Sequence, residues 1–174
     1  MIKNYKQLLK KISTVFLDMD GVLTDGSVII DANGEQLRTM NVKDGYALQL
    51  ASRKAYRIVI LSGGRAEVLR ERFKYLGIDD VFLGVNNKLE CFDNFIKENK
   101  IKKSSVLYMG DDIPDYKVMK QVAVATCPSD AAEEIKSICH YISPFLGGKG
   151  CVRDIIEQIM KVQGKWFDED AFKW

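Results

Sequence analysis

Histidine is all but missing from this chain. His140 stands alone, and Cys91, Cys127, Cys139 and Cys151 are scattered without a CxxC pair, so the spacings match no zinc finger. A chain of this length needs no disulfides for stability, and the four cysteines read as reduced packing thiols. No apolar run reaches the length of a membrane span. The N-terminal MIKNYKQLLKKIS is basic and partly amphipathic, without the apolar core of a signal peptide. No membrane partner is expected, and the default location is cytoplasmic. An excess of charge is also lacking: the formal net charge is +2, with Lys and Arg interspersed among Asp and Glu, which leaves no electrostatic footprint for nucleic acid.

What is present describes one sizeable core. At 174 residues, with 47% hydrophobic and 29% charged positions, the expectation is a single domain over 1–174. Residues 13–18 (STVFLD) form a β-branched and aromatic run that reads as a buried strand. Two extended runs, 27–30 and 36–42, meet at the turn signal Asp31-Ala32-Asn33-Gly34 and predict a β-hairpin insertion over about 27–42. From Asp44 onward the pattern alternates: helix 44–54, strand 57–62, helix 65–76, strand 81–84, helix 87–99, strand 105–110 and helix 114–120. It continues with strand 122–126, helix 129–137, strand 139–142 and helix 151–163. Such alternation implies a doubly wound, mostly parallel, Rossmann-like α/β sheet with helices on both faces. The aromatic tail 165–174, KWFDEDAFKW, lies beyond the repeating units and is expected to dock, on its own domain or on a neighbouring subunit.

The acids fall where such sheets bind ligands, beyond the carboxyl ends of the strands. Asp18 closes the first strand, Ser62 closes RIVIL, and Asp111 and Asp112 follow VLYMG. Alternation along an extended segment sends Asp18 and Asp20 to one side, where they can share one ligand. A lone DxD is often only a loop. Four carboxylates on one rim repel unless a cation sits among them, and an all-oxygen donor set suits magnesium. Magnesium with few protein ligands usually accompanies phosphate. Ser62 followed by Gly63-Gly64 supplies a hydroxyl and backbone N–H donors, and Lys88 adds a point charge at a helix start.

The set Asp18-x-Asp20-Gly21-Val22-x-Thr24, Ser62-Gly63, Lys88 and Gly110-Asp111-Asp112-x-x-Asp115 resembles the four motifs of the haloacid dehalogenase-like phosphohydrolases, in order and on the expected elements. More narrowly, DMDGVLTDG, NGEQLRTMNVKDGYALQL, GDDIPDYKVM and GGKGCVRDIIEQI resemble the branch acting on 3-deoxy-D-manno-octulosonate 8-phosphate (KDO 8-phosphate). The resemblance implies a small enzyme without a large cap domain, assembled as a homotetramer through the hairpin. It implies a Mg2+-dependent phosphomonoesterase that turns a sugar-acid phosphate into KDO and phosphate for lipopolysaccharide precursor synthesis. Asp18 would be the nucleophile that becomes an aspartyl-phosphate, and Asp20 the acid and then the base. Asp18 and Asp111 would hold magnesium through side chains, with the Asp20 backbone carbonyl joining them. Ser62, Gly63, Thr24 and Lys88 would serve the phosphoryl group, while Asp112 and Asp115 would orient Lys88 or water. Arg65, Lys149 and Arg153 are candidates for the substrate carboxylate. Many relatives read S/T-G-R where this chain reads Ser62-Gly63-Gly64-Arg65, which unsettles the placement of Arg65.

Two other readings use the same parts. Receiver domains of signalling proteins combine an α/β sheet, an acid cluster and magnesium, but their phosphorylated aspartate ends a middle strand, where this chain has Ser62. Phosphatases of nine-carbon sialic-type sugars tend to carry a glutamate where this chain has Gly64-Arg65, which tilts the reading to the eight-carbon acid. The glycine run Gly147-Gly148-x-Gly150 reads either as a loop approaching a ligand or as a helix-entry turn.

Overall fold

The computed structural model describes residues 4–65 and 67–173. Residues 1–3 of the basic N-terminal stretch, Ala66 of the helix expected over 65–76, and Trp174 of the aromatic tail lie outside the described residues. A short helix α1 (Tyr5–Leu9) leads into β1 (Thr14–Leu17). The hairpin strands β2 (Ile29–Ile30) and β3 (Gln36–Leu37) follow, then α2 (Val42–Arg53), β4 (Arg57–Leu61), α3 (Leu69–Tyr75), β5 (Asp80–Phe82) and α4 (Lys88–Glu98). The second half runs β6 (Val106–Met109), α5 (Tyr116–Met119), β7 (Val124–Cys127), α6 (Glu133–Lys136), β8 (Tyr141–Ile142) and α7 (Cys151–Val162).

Six strands form one parallel sheet in the order β5-β4-β1-β6-β7-β8. The chain winds outward from β1 through β4 to β5, then returns to the other side of β1 at β6, which makes the region around β1 the switch point of the fold. Alternation along β1 distributes its side chains between two cores. Val15 and Leu17 enter the cluster with Ala47, Leu48, Ile155 and Ile159 of α2 and α7. Phe16 enters the opposite one, packing against Phe92 at 5.0 Å, Phe95 at 5.6 Å and Tyr108 at 6.2 Å between ring centroids. The α/β class and the parallel sheet with covered faces are as the alternation of elements implies, and among the described residues there is no large cap, as the resemblance implies.

Where helices start late, backbone groups of the preceding segment are bonded to distant parts of the chain. The helix expected from 65 begins at Leu69, because Gly84 N–H donates to Gly64 O (2.8 Å) and Val85 N–H to Ser62 O (3.0 Å), tying the loop to the segment after β5. The helix expected from 129 begins at Glu133, because Ser129 N–H donates to Phe145 O and Ala132 N–H to Asp111 O. Pro114 sits in a tight Ile113–Asp115 turn ahead of α5, where its missing N–H is harmless. The hairpin strands are only two residues each, and Ile29, Ile30 and Leu37 on them are exposed.

The tail docks on its own chain. Trp166 is buried edge-on against Tyr46, with the Arg153 guanidinium 4.4 Å from its ring centre. Lys54 clamps Asp168 at 2.7 Å and Asp170 at 2.5 Å, while Phe167 and Phe172 remain exposed. All four cysteines are free, in line with the reading as packing thiols.

One buried acid joins the starts of two helices. Asn41 caps α2 by accepting from the Lys43 and Asp44 N–H groups, and Asp44 in turn accepts the Arg153 N–H at the start of α7 (2.6 Å). Its second oxygen is buried without a partner among the described residues. Burial pushes the Asp44 carboxyl up to about 6 in spite of the Arg153 and Gly150 N–H groups. A folded value above the unfolded one means that the unfolded chain loses its proton first, so stability falls as pH rises from about 4 to about 6. Asp44→Asn is expected to remove about 2 kcal/mol of the stability difference between pH 4.5 and 6.5, checked by urea unfolding at those two pH values.

Candidate active site

An open cleft of about 750 Å3 lies across the carboxyl ends of β4, β1 and β6. Its position follows from register. Leu17 is paired with Ile60 on one side and Met109 on the other, so Asp18 stands level with Leu61 and Gly110, and Ser62 and Asp111 follow one residue later. Asp18 remains in the ladder through its N–H to Met109 O (3.0 Å). Its side chain continues the face of Phe16, toward α4 and α5. Asp20 does not continue that alternation, because the chain turns sharply over Met19–Leu23 with Gly21 at φ +85°. A Cβ at Gly21 would lie 2.0 Å from Asp111 Oδ2, so only glycine lets the turn pass this close to the second acid.

The acids are compensated by two different cations. Lys88 Nζ sits 2.8 Å from Asp18 Oδ2 and 2.7 Å from Asp115 Oδ1, and all three side chains are almost wholly buried. Asp115 is fully engaged: the Tyr108 hydroxyl donates to Oδ1 (2.6 Å) and the Asp111 N–H to Oδ2 (3.3 Å). Asp20 is paired elsewhere, with both oxygens held by Arg38 of the hairpin at 2.6 and 3.0 Å. The Thr24 hydroxyl reaches Asp20 Oδ1 at 3.4 Å from a fully buried position, bracing that acid from behind.

Asp18, Asp111 and Asp115 bring one oxygen each to within 4.8 Å of one another, a spacing that could accommodate a metal ion. Three carboxylates against one ammonium leave two negative charges, the charge of one divalent cation. Burial raises the Asp18 carboxyl well above its usual range, with Asp115 adding to the effect and Lys88 opposing it. Burial, followed by Asp115, likewise lifts Asp111 to about 7. For Lys88, burial alone would lower the ammonium, but Asp18 and Asp115 outweigh it and raise it. Asp111 Oδ1 is buried with no hydrogen-bond partner among the described residues, an orphan that a cation would satisfy. Asp115, with both oxygens taken, is better suited to holding Lys88 than to ligation.

The cleft therefore gathers Asp18, Asp20, Ser62, Gly63, Lys88, Asp111 and Asp112 as the sequence pattern implies, with Asp112 exposed at its edge. Ser62 Oγ accepts the Gly64 N–H (3.0 Å), which leaves its own hydrogen free to donate into the cleft. Three expected basic residues are not brought here, and Thr24, expected at the phosphoryl group, is buried behind Asp20 instead. Arg65 lies along Gly84 and borders a shallow depression beside the hairpin, because the loop after Gly64 turns away. Arg153 lies in a separate cleft of about 690 Å3, paired to Glu157 and stacked on Trp166. Lys149, also outside the main cleft, pairs with Asp25 at 3.3 Å. The glycine run serves packing: a Cβ on Gly147 would fall 2.0 Å from Gly21 O, and one on Gly148 2.6 Å from Asp25 N. Arg38 and Tyr108 are the residues that motif reading misses.

No family model matches the chain. Relatives and solved structures do. The 3-deoxy-D-manno-octulosonate 8-phosphate phosphatase KdsC of Escherichia coli K12 is 33% identical over 156 residues, 90% of this chain and 83% of that protein. The chain belongs to the KDO 8-phosphate phosphatase family. The crystal structure of the Yersinia pestis phosphatase superposes with a TM-score of 0.90 at 31% identity, covering 94% of this chain and 88% of that one. The Moraxella catarrhalis phosphatase, solved with a magnesium ion, a phosphate ion and KDO, superposes at 0.88 and 30% identity, covering 91% of each chain. A hydrolase of the haloacid dehalogenase superfamily from Legionella pneumophila shares the same fold at 0.90. This chain is thus an enzyme, a phosphomonoesterase of the hydrolase class.

Lys88 is the cation on which the buried acids depend. Lys88→Met is expected to destabilise the protein by about 3–5 kcal/mol at pH 7.5, because Asp18 and Asp115 would face each other uncompensated. The deficit should shrink as pH falls and Asp18, whose carboxyl burial raises well above its usual range, takes up a proton, and urea unfolding across that pH range measures both effects.

Proposed function

We propose that this chain hydrolyses KDO 8-phosphate to KDO and inorganic phosphate in the cytoplasm, supplying the sugar acid for lipopolysaccharide. The observation that carries the reading is the Asp18–Lys88–Asp115 ion cluster facing Asp111 and Ser62 across one cleft, with two negative charges left for a divalent ion. The substrate comes from the family to which the chain belongs and from the KDO in the Moraxella relative.

Asp18, Asp111 and the Asp20 backbone carbonyl would hold Mg2+, and the buried unpartnered oxygen of Asp111 fits that role. When bound, the ion neutralises charge on the phosphate and on Asp18, so that two anions can meet. The Asp18 carboxylate forms a bond to phosphorus as the ester P–O bond breaks, and the departing sugar oxygen takes a proton from Asp20. The product is an aspartyl-phosphate on Asp18 with Asp20 ionised. Water then attacks phosphorus, gives its proton to Asp20, and the Asp18–phosphate bond breaks to release phosphate. Both acids return to their starting forms. Lys88 places its ammonium beside Asp18 Oδ2, and the Ser62 hydroxyl lines the same cleft, so both can bind the oxygens of the moving phosphoryl group.

Assembly as a homotetramer through the hairpin belongs to the same reading. Ile29, Ile30 and Leu37 cluster as exposed apolar groups on strands too short to stand alone, and a second chain would cover them. Light scattering is expected to give four times the chain mass, and a fully active monomer would remove the role given to the hairpin.

Phosphate release measured across eight- and nine-carbon keto-acid phosphates is expected to favour KDO 8-phosphate and to stop when magnesium is chelated. Asp18→Asn should lower turnover by at least about 10³-fold without unfolding the chain. Substantial residual turnover in that variant would refute the nucleophile assignment.

A further inference from the structure

We infer that Arg38 is the positioning residue for Asp20, fixing which lone pair of that carboxylate exchanges its proton with the departing sugar oxygen. The inference rests on the acid–base role given to Asp20 under the proposed function. Arg38 Nε donates to Asp20 Oδ1 (2.6 Å) and Nη2 to Oδ2 (3.0 Å), a forked contact that sets the plane of the carboxylate. The guanidinium is itself held. Nη1 donates to the Gln36 carbonyl and Nη2 to Gln36 Oε1, both at 3.3 Å, and the Arg38 side chain is 3% exposed.

Counting lone pairs shows what the fork leaves open. A carboxylate has about four acceptor sites. Arg38 occupies one on each oxygen and the Thr24 hydroxyl takes another on Oδ1, so the uncommitted site that remains is on Oδ2. That oxygen faces the cleft wall at Gly64, where a Cβ would lie 3.0 Å from Oδ2 and 3.3 Å from Arg38 Nη2. Gly64 and Arg38 therefore fit each other: the loop gives up a side chain and the hairpin fills the space with a fork. Because guanidinium does not release its proton near neutral pH, Arg38 orients Asp20 and exchanges no proton itself. In the forward step the Oδ2 proton passes to the ester oxygen as the P–O bond breaks, and Asp20 is left as the carboxylate that Arg38 already holds.

The test compares leaving groups. The alkoxide of KDO 8-phosphate needs a proton as it departs, whereas p-nitrophenolate leaves without one. In kcat/KM, which reports the first phosphoryl transfer, Arg38→Ala is expected to lose about 30- to 100-fold on KDO 8-phosphate and only about threefold on p-nitrophenyl phosphate. Arg38→Lys, which keeps the charge but offers a point contact, should fall between wild type and Arg38→Ala, and it carries the test if the alanine variant does not fold. Asp20→Asn is the reference and should discriminate between the two substrates at least as strongly. Equal losses on both substrates for the Arg38 variants, with Asp20→Asn still discriminating, would overturn the inference alone. Equal losses for Asp20→Asn as well would overturn the acid–base assignment of Asp20 and the inference with it.

Discussion

Negative charge buried at the end of β1 is the constraint around which this protein is organised. At an effective dielectric of about 20, two carboxylates 4 Å apart repel by about 4 kcal/mol, and three of them cannot be held together by packing alone. The fold answers with one buried ammonium, Lys88, which bridges Asp18 and Asp115, and with the Tyr108 hydroxyl and Asp111 N–H on Asp115. What is left over matches a divalent cation. Without one, protons must serve, and the upward shifts of Asp18 and Asp111 express that substitution. Proton and metal thus compete for the same oxygens.

The architecture makes this cluster stiff. Asp18 is still in the ladder of the central strand, Lys88 is the first residue of α4, and Asp115 stands immediately before the first residue of α5. Each acid or base stands at the end of an element that contributes side chains to the core. The Phe16, Phe92, Phe95 and Tyr108 cluster beneath fixes the side of the sheet on which Asp18 and Lys88 meet. Asp20, two residues further, is governed differently, by a cation from the hairpin and not from the sheet. Neighbouring carboxylates with separate partners can take separate roles in one reaction.

Much of this was legible in the residues. Asp18, Ser62, Lys88, Asp111 and Asp115 are local in kind: each follows a strand or opens a helix, and strand ends can be read from periodicity. The parallel sheet followed from the alternation of elements. Boundaries were less legible, because the late starts of α3 and α6 depend on N–H groups bonded to distant carbonyls such as Phe145 O and Asp111 O. Arg38 was hidden for the same reason. Nothing in QLRTM distinguishes an arginine that returns to Asp20 from a solvated one, since 18 residues and a turn separate the partners. Tyr108 carried a faint signal, a phenol in an otherwise apolar buried strand, whose hydroxyl had to find an acceptor. Arg65 and Arg153 look basic and well placed in one dimension, yet loop direction and the stacking on Trp166 take them elsewhere.

The glycines ahead of α7 carry a mechanical implication. Gly147 and Gly148 press directly on the backbone of the Asp18–Asp25 turn, the Gly148 N–H donates to Val22 O at 2.9 Å, and the Cys151 thiol reaches the same carbonyl. The first and last thirds of the polypeptide are therefore a single rigid part at this point, with no side-chain cushion between them. A bulkier residue in the later segment would be felt at the reacting atoms as displacement, not as lost affinity, although more than a hundred positions separate the two in the chain.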